Sequence, residues 1–349
     1  MAEKSDIKIL NEIVNDAFWL SYILNIKRNL ADCEQKELLS VFLIVYGSVF
    51  CEEVLCAEYG GINKETNITR KDIADFRNNN LKKCYTSNSK TALRIAKEMG
   101  TDFNSYTFDI VLGVIDTTII DTNYRNWDVS KEENQDLLNG IVRTPEKWME
   151  YLLPELYPII LKELEPISKQ ITEQITKLKI EKKSYSTYKL FSKSPLSLDD
   201  KYYILQRLGL LQTLRLIDSL FCQLSTVYIG ELIFDFEIFI TKCKAVVLEM
   251  IWNDKNQNKN ISILNEVFSK NKTTIPDEFY VANRKIRDNI HYKKYHYISS
   301  DEYELVRKYQ EVYLKNIIEI FGKHLKLKFG ISYELGLSLA KIQWWASHN

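Results

Sequence analysis

Apolar or small residues recur at Ile7, Leu10, Ile13, Val14, Ala17, Phe18, Ser21 and Leu24. Steps of three and four mark one face of an amphipathic helix. Trp19, Leu20 and Ile23 widen that stripe, so the helix is expected to be well buried. The run LLSVFLIVYGSVFC, residues 38–51, has fourteen residues and is followed at once by Glu52 and Glu53. A membrane span needs roughly eighteen or more apolar residues, so this run predicts a buried core helix. It should extend from about Cys33 to Tyr59 and stop at Gly60-Gly61.

The middle of the chain is more broken. The polar NKETNITRKDIADFRNNN stretch, residues 63–80, starts as a loop, and Ser89 caps a helix that ends at Gly100. The segment FDIVLGVIDTTII, residues 108–120, fits a helix or a strand because it is rich in β-branched residues. Thr144 and Pro145 mark a helix start. Helix then continues to about Lys182, interrupted or kinked at Pro154, Pro158 and Pro166. The Ser-, Lys- and Tyr-rich residues 183–196 are the expected linker between an N-terminal helical region, 1–182, and a C-terminal bundle, 197–349.

The second region has a simpler pattern. A helix begins near Ser197 or Asp199, a second covers Val227 to Trp252, and a short one covers Ile261 to Phe268. Pro276 opens the helix that carries residues 283–296, and Ser299-Ser300 cap a long one after it. A last helix follows from Ile331. Helices joined by short loops predict an all-α protein with an up-and-down bundle at its C-terminal end.

Composition narrows the function. Of 349 residues, 47 are Lys or Arg and 47 are Asp or Glu, so net charge is zero and only a local patch can attract nucleic acid. Scarce Gly (11) and Pro (6) favour helices. The six cysteines, Cys33, Cys51, Cys56, Cys84, Cys222 and Cys243, include no CxxC pair and are not spaced against histidines as zinc ligands. They are expected to be reduced. The N-terminus has no basic segment leading into an apolar core, so the expected location is cytoplasmic, without membrane attachment. No P-loop, GxGxxG, GxSxG or HExxH motif occurs, and no cofactor or metal is expected.

One segment departs from this even background. NRKIRDNIHYKKYH, residues 283–296, gathers five Lys/Arg, two of the four His and a single acid, Asp288. A basic helix end facing solvent would complement the helix dipole and need no further role. The same residues also fit RNA cleavage. A histidine can accept the 2′-OH proton or protonate the leaving 5′-oxygen, and an arginine can clamp the phosphate. His291 follows Arg287 by four residues and Arg284 by seven, a spacing that puts all three on one side of a helix.

The run Arg287-Asp288-Asn289-Ile290-His291-Tyr292, on one helix of a bundle and followed by another long helix, resembles the signature of the HEPN superfamily. Those are small helical bundles, many of them metal-independent RNases of toxin–antitoxin, abortive-infection and CRISPR systems. Their pattern is an Arg, a polar residue and a His, with four to six residues between Arg and His. Here Arg287 has the polar neighbour but three intervening residues, and Arg284 has six but is followed by Lys285. The resemblance covers at most residues 197–330. It implies Arg287, His291, Asp288 and Arg284 as catalytic residues and Asn289, Lys293, Lys294 and Tyr292 as RNA contacts. It also implies a homodimer, RNA as substrate and an antitoxin or other defence-system partner. The alternative expectation is a noncatalytic helical module that binds protein or nucleic acid.

Overall fold

The computed structural model describes residues 2–31, 34–56, 102–104, 132–177, 184–186, 214, 217–218, 220–229, 232–257, 262–290 and 296–329. The architecture is all-α, built of α-helices with a short 3-10 helix at Cys222–Leu224 and two short two-stranded ribbons among the described residues. Helices α1 (Ala2–Asn29) and α2 (Glu34–Cys56) are followed by strand β1 (Asp102–Asn104), then α3 (Glu132–Leu152), α4 (Leu156–Glu163), α5 (Glu165–Lys177) and β2 (Ser184–Ser186). The hairpin β3 (Thr226–Ile229) and β4 (Leu232–Asp235) leads into α6 (Phe236–Gln257), α7 (Ser262–Thr274), α8 (Asp277–Ile290) and α9 (Ser300–Phe329). Strand β1 pairs antiparallel with β2, and β3 with β4. Among the described residues no helix is long and apolar enough to cross a membrane.

The α1 stripe is buried as its periodicity predicts. Ile13, Ala17, Phe18, Trp19, Leu20, Tyr22 and Ile23 are all inside. Phe18 stacks on Phe234 of β4 with ring centroids 4.0 Å apart, and Trp19 meets Phe236 of α6 edge-on at 5.0 Å. Buried side chains from Ile13 to Ile320 form a single cluster, so core residues from both sides of the 183–196 segment pack together. Helices α2 and α3 cover α1 on one side. A bidentate pair of Arg28 with Glu146 and a 3.0 Å bond between the Tyr22 and Ser168 hydroxyls fix α1 to α3 and α5.

Two expectations are corrected. Pro145 does not start a helix but lies inside α3. The lost N–H would leave the Ile141 carbonyl without its helical donor. The Cys51 thiol of α2 contacts that carbonyl at 3.5 Å instead. Gly47, one turn before Cys51, permits the approach, because a Cβ there would sit 3.2 Å from the same oxygen. Burial pushes the Cys51 thiol up to about 12, so it stays protonated and a donor. The second correction concerns residues 226–235, which form a hairpin rather than the start of a helix. Val227 and Phe234 face inward while Tyr228 and Ile233 face outward, the period-two alternation of a strand. Helix α6 then starts on a true cap, with the Ile238 N–H donating to Asp235 Oδ1 at 3.0 Å.

Two of the three prolines after α3 lie at breaks, since helix stops at 153–155 around Pro154 and again at Leu164 before Pro166, whereas Pro158 lies inside α4 without interrupting it. Helix α2 ends at Cys56, inside the expected range, and α7 runs on to Thr274, past the expected Phe268. The expected elements at residues 89–100, 108–120 and 331–349 lie outside the described residues, as does most of the helix expected from Ser197.

Helix α6 carries two buried lysines. Lys242 lies 2.7 Å from Glu12 and 3.1 Å from Asp16, both on α1. Lys244 lies 2.7 Å from Asp218 and 2.7 Å from Glu311 of α9. Residues two apart on a helix point to opposite sides, so the two cations tie α6 to different neighbours. Burial alone would lower the lysine pKa values. For Lys242 the charges of Asp16 and Glu12 outweigh it, and for Lys244 those of Asp218 and Glu311, so both stand above the ordinary value. A folded-state value above the unfolded one means stability that is complete below about pH 10 and lost as pH rises further. Urea unfolding should therefore show no loss from these groups between about pH 7 and 9, and a decline above about pH 10. Lys242→Met leaves the Glu12 and Asp16 carboxylates without their buried cation and should cost about 3–5 kcal/mol. Adding Glu12→Gln and Asp16→Asn should restore most of it. A Lys242→Met chain as stable as the native one would mean that this cluster is hydrated and does not hold α1 on α6.

Candidate RNA-binding face of helix α8

Helix α8 begins right after Pro276, whose fixed φ suits a helix entry. Phe279, Ala282, Asn283, Ile286, Asn289 and Ile290 form its buried face. Their steps of three and four put the intervening residues outside. Arg284 is exposed, while Lys285, Arg287 and Asp288 are half-buried. The structure thus brings Arg284, Arg287 and Asp288 to one outward face, at i, i+3 and i+4. Arg287 donates to the Asp288 carboxylate at 2.8 Å, which fixes the guanidinium beside its neighbour. Among the described residues Arg284 makes no ion pair.

Asn289 is placed differently. It is 1 % exposed and points away from the arginines. Its side-chain Nδ2 donates to the His296 carbonyl at 2.9 Å, and its Oδ1 accepts the His296 N–H at 2.7 Å. Both main-chain polar groups of His296 are therefore satisfied by one amide, and the chain leaving α8 is brought back to the helix it left. The sequence-expected His291, Tyr292, Lys293 and Lys294 fall between these two points, outside the described residues.

The far side of the loop is pinned as well. Ser299 and Glu302 form a reciprocal capping box at the start of α9: the Ser299 N–H donates to Glu302 at 3.0 Å, and the Glu302 N–H to the Ser299 hydroxyl at 3.2 Å. Lys285 of α8 reaches the other Glu302 oxygen at 2.6 Å. The Lys285 ammonium and the Ser299 amide hold the Glu302 carboxyl below its ordinary value. Lys285 is thus spent on joining α8 to α9, and Arg284 and Arg287 remain the cations of the outer face.

Deeper contacts make α8 a stable base. Asn283 accepts from Gln310 of α9 at 3.0 Å, and the same Gln310 amide donates to the Thr241 carbonyl of α6 at 3.1 Å. Beneath Ile290 lies a cavity of about 30 Å³, lined also by Leu20, Phe50, Phe239 and Lys242. That space holds a water or two but no nucleotide. Among the described residues no group of His, Cys, Asp and Glu is arranged to hold a metal. The arrangement can bind a phosphate through two guanidinium groups, with Asp288 orienting one of them.

The structural role of Asn289 has a sequence signal: the residue falls on the apolar stripe, in register with Phe279, Ala282 and Ile286. A polar residue on a core-facing stripe must find partners inside. Asn289→Ala removes both bonds and orphans the His296 main chain, a cost of about 1–3 kcal/mol. Amide hydrogen exchange should quicken at His296 and its neighbours while the α1 amides keep their protection. Unchanged exchange at His296 would mean that the tie carries no strain of holding the loop.

Comparison of the chain with protein-family models, with curated proteins and with solved structures gives no match.

Proposed function

We propose that the outer face of α8 and the loop after it form a metal-independent RNA-cleaving site of HEPN type, in a protein of bacterial defence. The observation that carries this reading is the placing of Arg284 and Arg287 on one outward side of α8, with His291 four residues after Arg287 and seven after Arg284 in the sequence. Arg284 and Arg287 bind the phosphate, and Asp288 orients Arg287. His291 moves the protons. A neutral imidazole takes the 2′-OH proton, the 2′-oxygen bonds to phosphorus, and the P–O5′ bond breaks as an imidazolium protonates the departing 5′-oxygen. Lys293, Lys294 and Tyr292 would contact the RNA. A second copy of the chain would supply the second imidazole, and helices α1 to α5 would restrain the nuclease or receive its antitoxin or trigger.

The test is cleavage of RNA in the presence of EDTA. The native chain should cut, and His291→Ala should lose about 10²–10⁴-fold in rate. Arg287→Ala should lose activity together with phosphate affinity. Native-like cutting by both variants would remove these residues from the chemistry. Salt-sensitive RNA binding without any cleavage would instead favour a noncatalytic docking module, in which each Arg or Lys removed flattens the salt dependence by about one unit.

A further inference from the structure

Tyr297 is an aromatic side chain with no core to fill. It is 70 % exposed, yet its main chain stands between two fixed points: His296, bonded on both polar groups to Asn289, and Ser299, locked in the capping box with Glu302. An exposed ring on a mobile tip would carry no meaning, since scattered surface aromatics are common. A ring held out from a segment pinned at both ends is preorganised for contact. The Lys8 ammonium of α1 lies 5.3 Å from the ring centroid, over one face. Lys8 is itself exposed, so its charge remains available to a second partner. Tyr297 follows His291 by six residues and is joined to α8 by the Asn289 tie.

We infer that Tyr297 and Lys8 form a stacking platform for an unpaired nucleobase beside the C-terminal end of α8, the helix that carries the proposed site. The inference rests on the RNA-binding reading of that site and adds to it two residues on elements that the motif does not include. A planar base has a π face whatever its identity, so the ring accepts it without reading sequence. One face of the Tyr297 ring carries the Lys8 cation, and the other takes the base. The ammonium adds a positive charge beside the platform, which favours a polyanionic strand. A paired base in a duplex is already stacked on both sides and cannot offer a face, so the platform selects unpaired nucleotides.

The experiment uses the full chain and a fluorescently labelled RNA of about a dozen nucleotides, single-stranded in one arm and annealed to its complement in the other. Binding is followed by anisotropy for the native chain, Tyr297→Ala, Tyr297→Phe, Lys8→Ala and Arg284→Ala, each first shown to melt like the native protein. Tyr297→Ala should weaken single-strand binding about tenfold, in keeping with the value of one base–aromatic stack. Tyr297→Phe should bind like the native chain, and duplex affinity should change little. Lys8→Ala should weaken binding and lower the salt slope by about one. If Arg284→Ala weakens binding while Tyr297→Ala is native-like, the platform is wrong and the α8 site survives. If Tyr297→Phe is as weak as Tyr297→Ala, a hydroxyl contact replaces stacking and the inference fails. A native chain that binds neither RNA removes both the platform and the site it rests on.

Discussion

The whole arrangement depends on keeping two positive charges inside α6. A lysine moved from water into a protein interior costs several kcal/mol unless carboxylates meet it. Lys242 meets Glu12 and Asp16 of α1, and Lys244 meets Asp218 and Glu311. These pairs demand position: a carboxylate displaced by one helical turn would leave a cation unpaired. Apolar packing would tolerate more sliding. The lysines therefore fix the register of α1 and α9 on α6, and the aromatic contacts of Phe18 and Trp19 with Phe234 and Phe236 add apolar burial along the same helix.

The candidate site inherits that register. Helix α8 lies on α6 and α9, held by the Asn283–Gln310–Thr241 chain of amide bonds and by Lys285 on Glu302. Lys8, on the helix fixed by Glu12 and Asp16, is brought to the loop that leaves α8. A motif of six residues near the end of the sequence thus shares its surroundings with the first turns of the chain. The N-terminal helices are part of the frame that aims the α8 face, and any restraint they exert on it can pass through contacts already present.

Much of this was legible in the sequence, and the parts that were not have identifiable causes. The stripe of α1, the core character of α2, the cap at Ser299 and the entry at Pro276 follow from local pattern, because each depends on neighbours a turn away. Pro145 misleads because its usual place is a helix start. Its accommodation inside α3 depends on Gly47 and Cys51, some ninety residues earlier. The hairpin at 226–235 is hidden by the helix that follows without a gap, although its alternation is visible once the Asp235 cap is recognised. Lys242 and Lys244 read as surface residues because their partners are far away in sequence. At the site, the outward grouping of Arg284, Arg287 and Asp288 follows from helical spacing. The inward turn of Asn289 was signalled by its place on the stripe but was outweighed by its place in the motif.

Asn289 recognises only main-chain atoms of His296, and Asn15 treats Asp235 in the same way, with bonds of 3.2 and 2.7 Å to its carbonyl and N–H. An amide side chain used like a strand neighbour is indifferent to which side chain it holds in place, proline excepted. The side chain at 296 can therefore change in kind without disturbing the bonds that hold it to α8. Position and side-chain identity are separable at these two places in the chain: each asparagine fixes where a residue stands and leaves open what it carries.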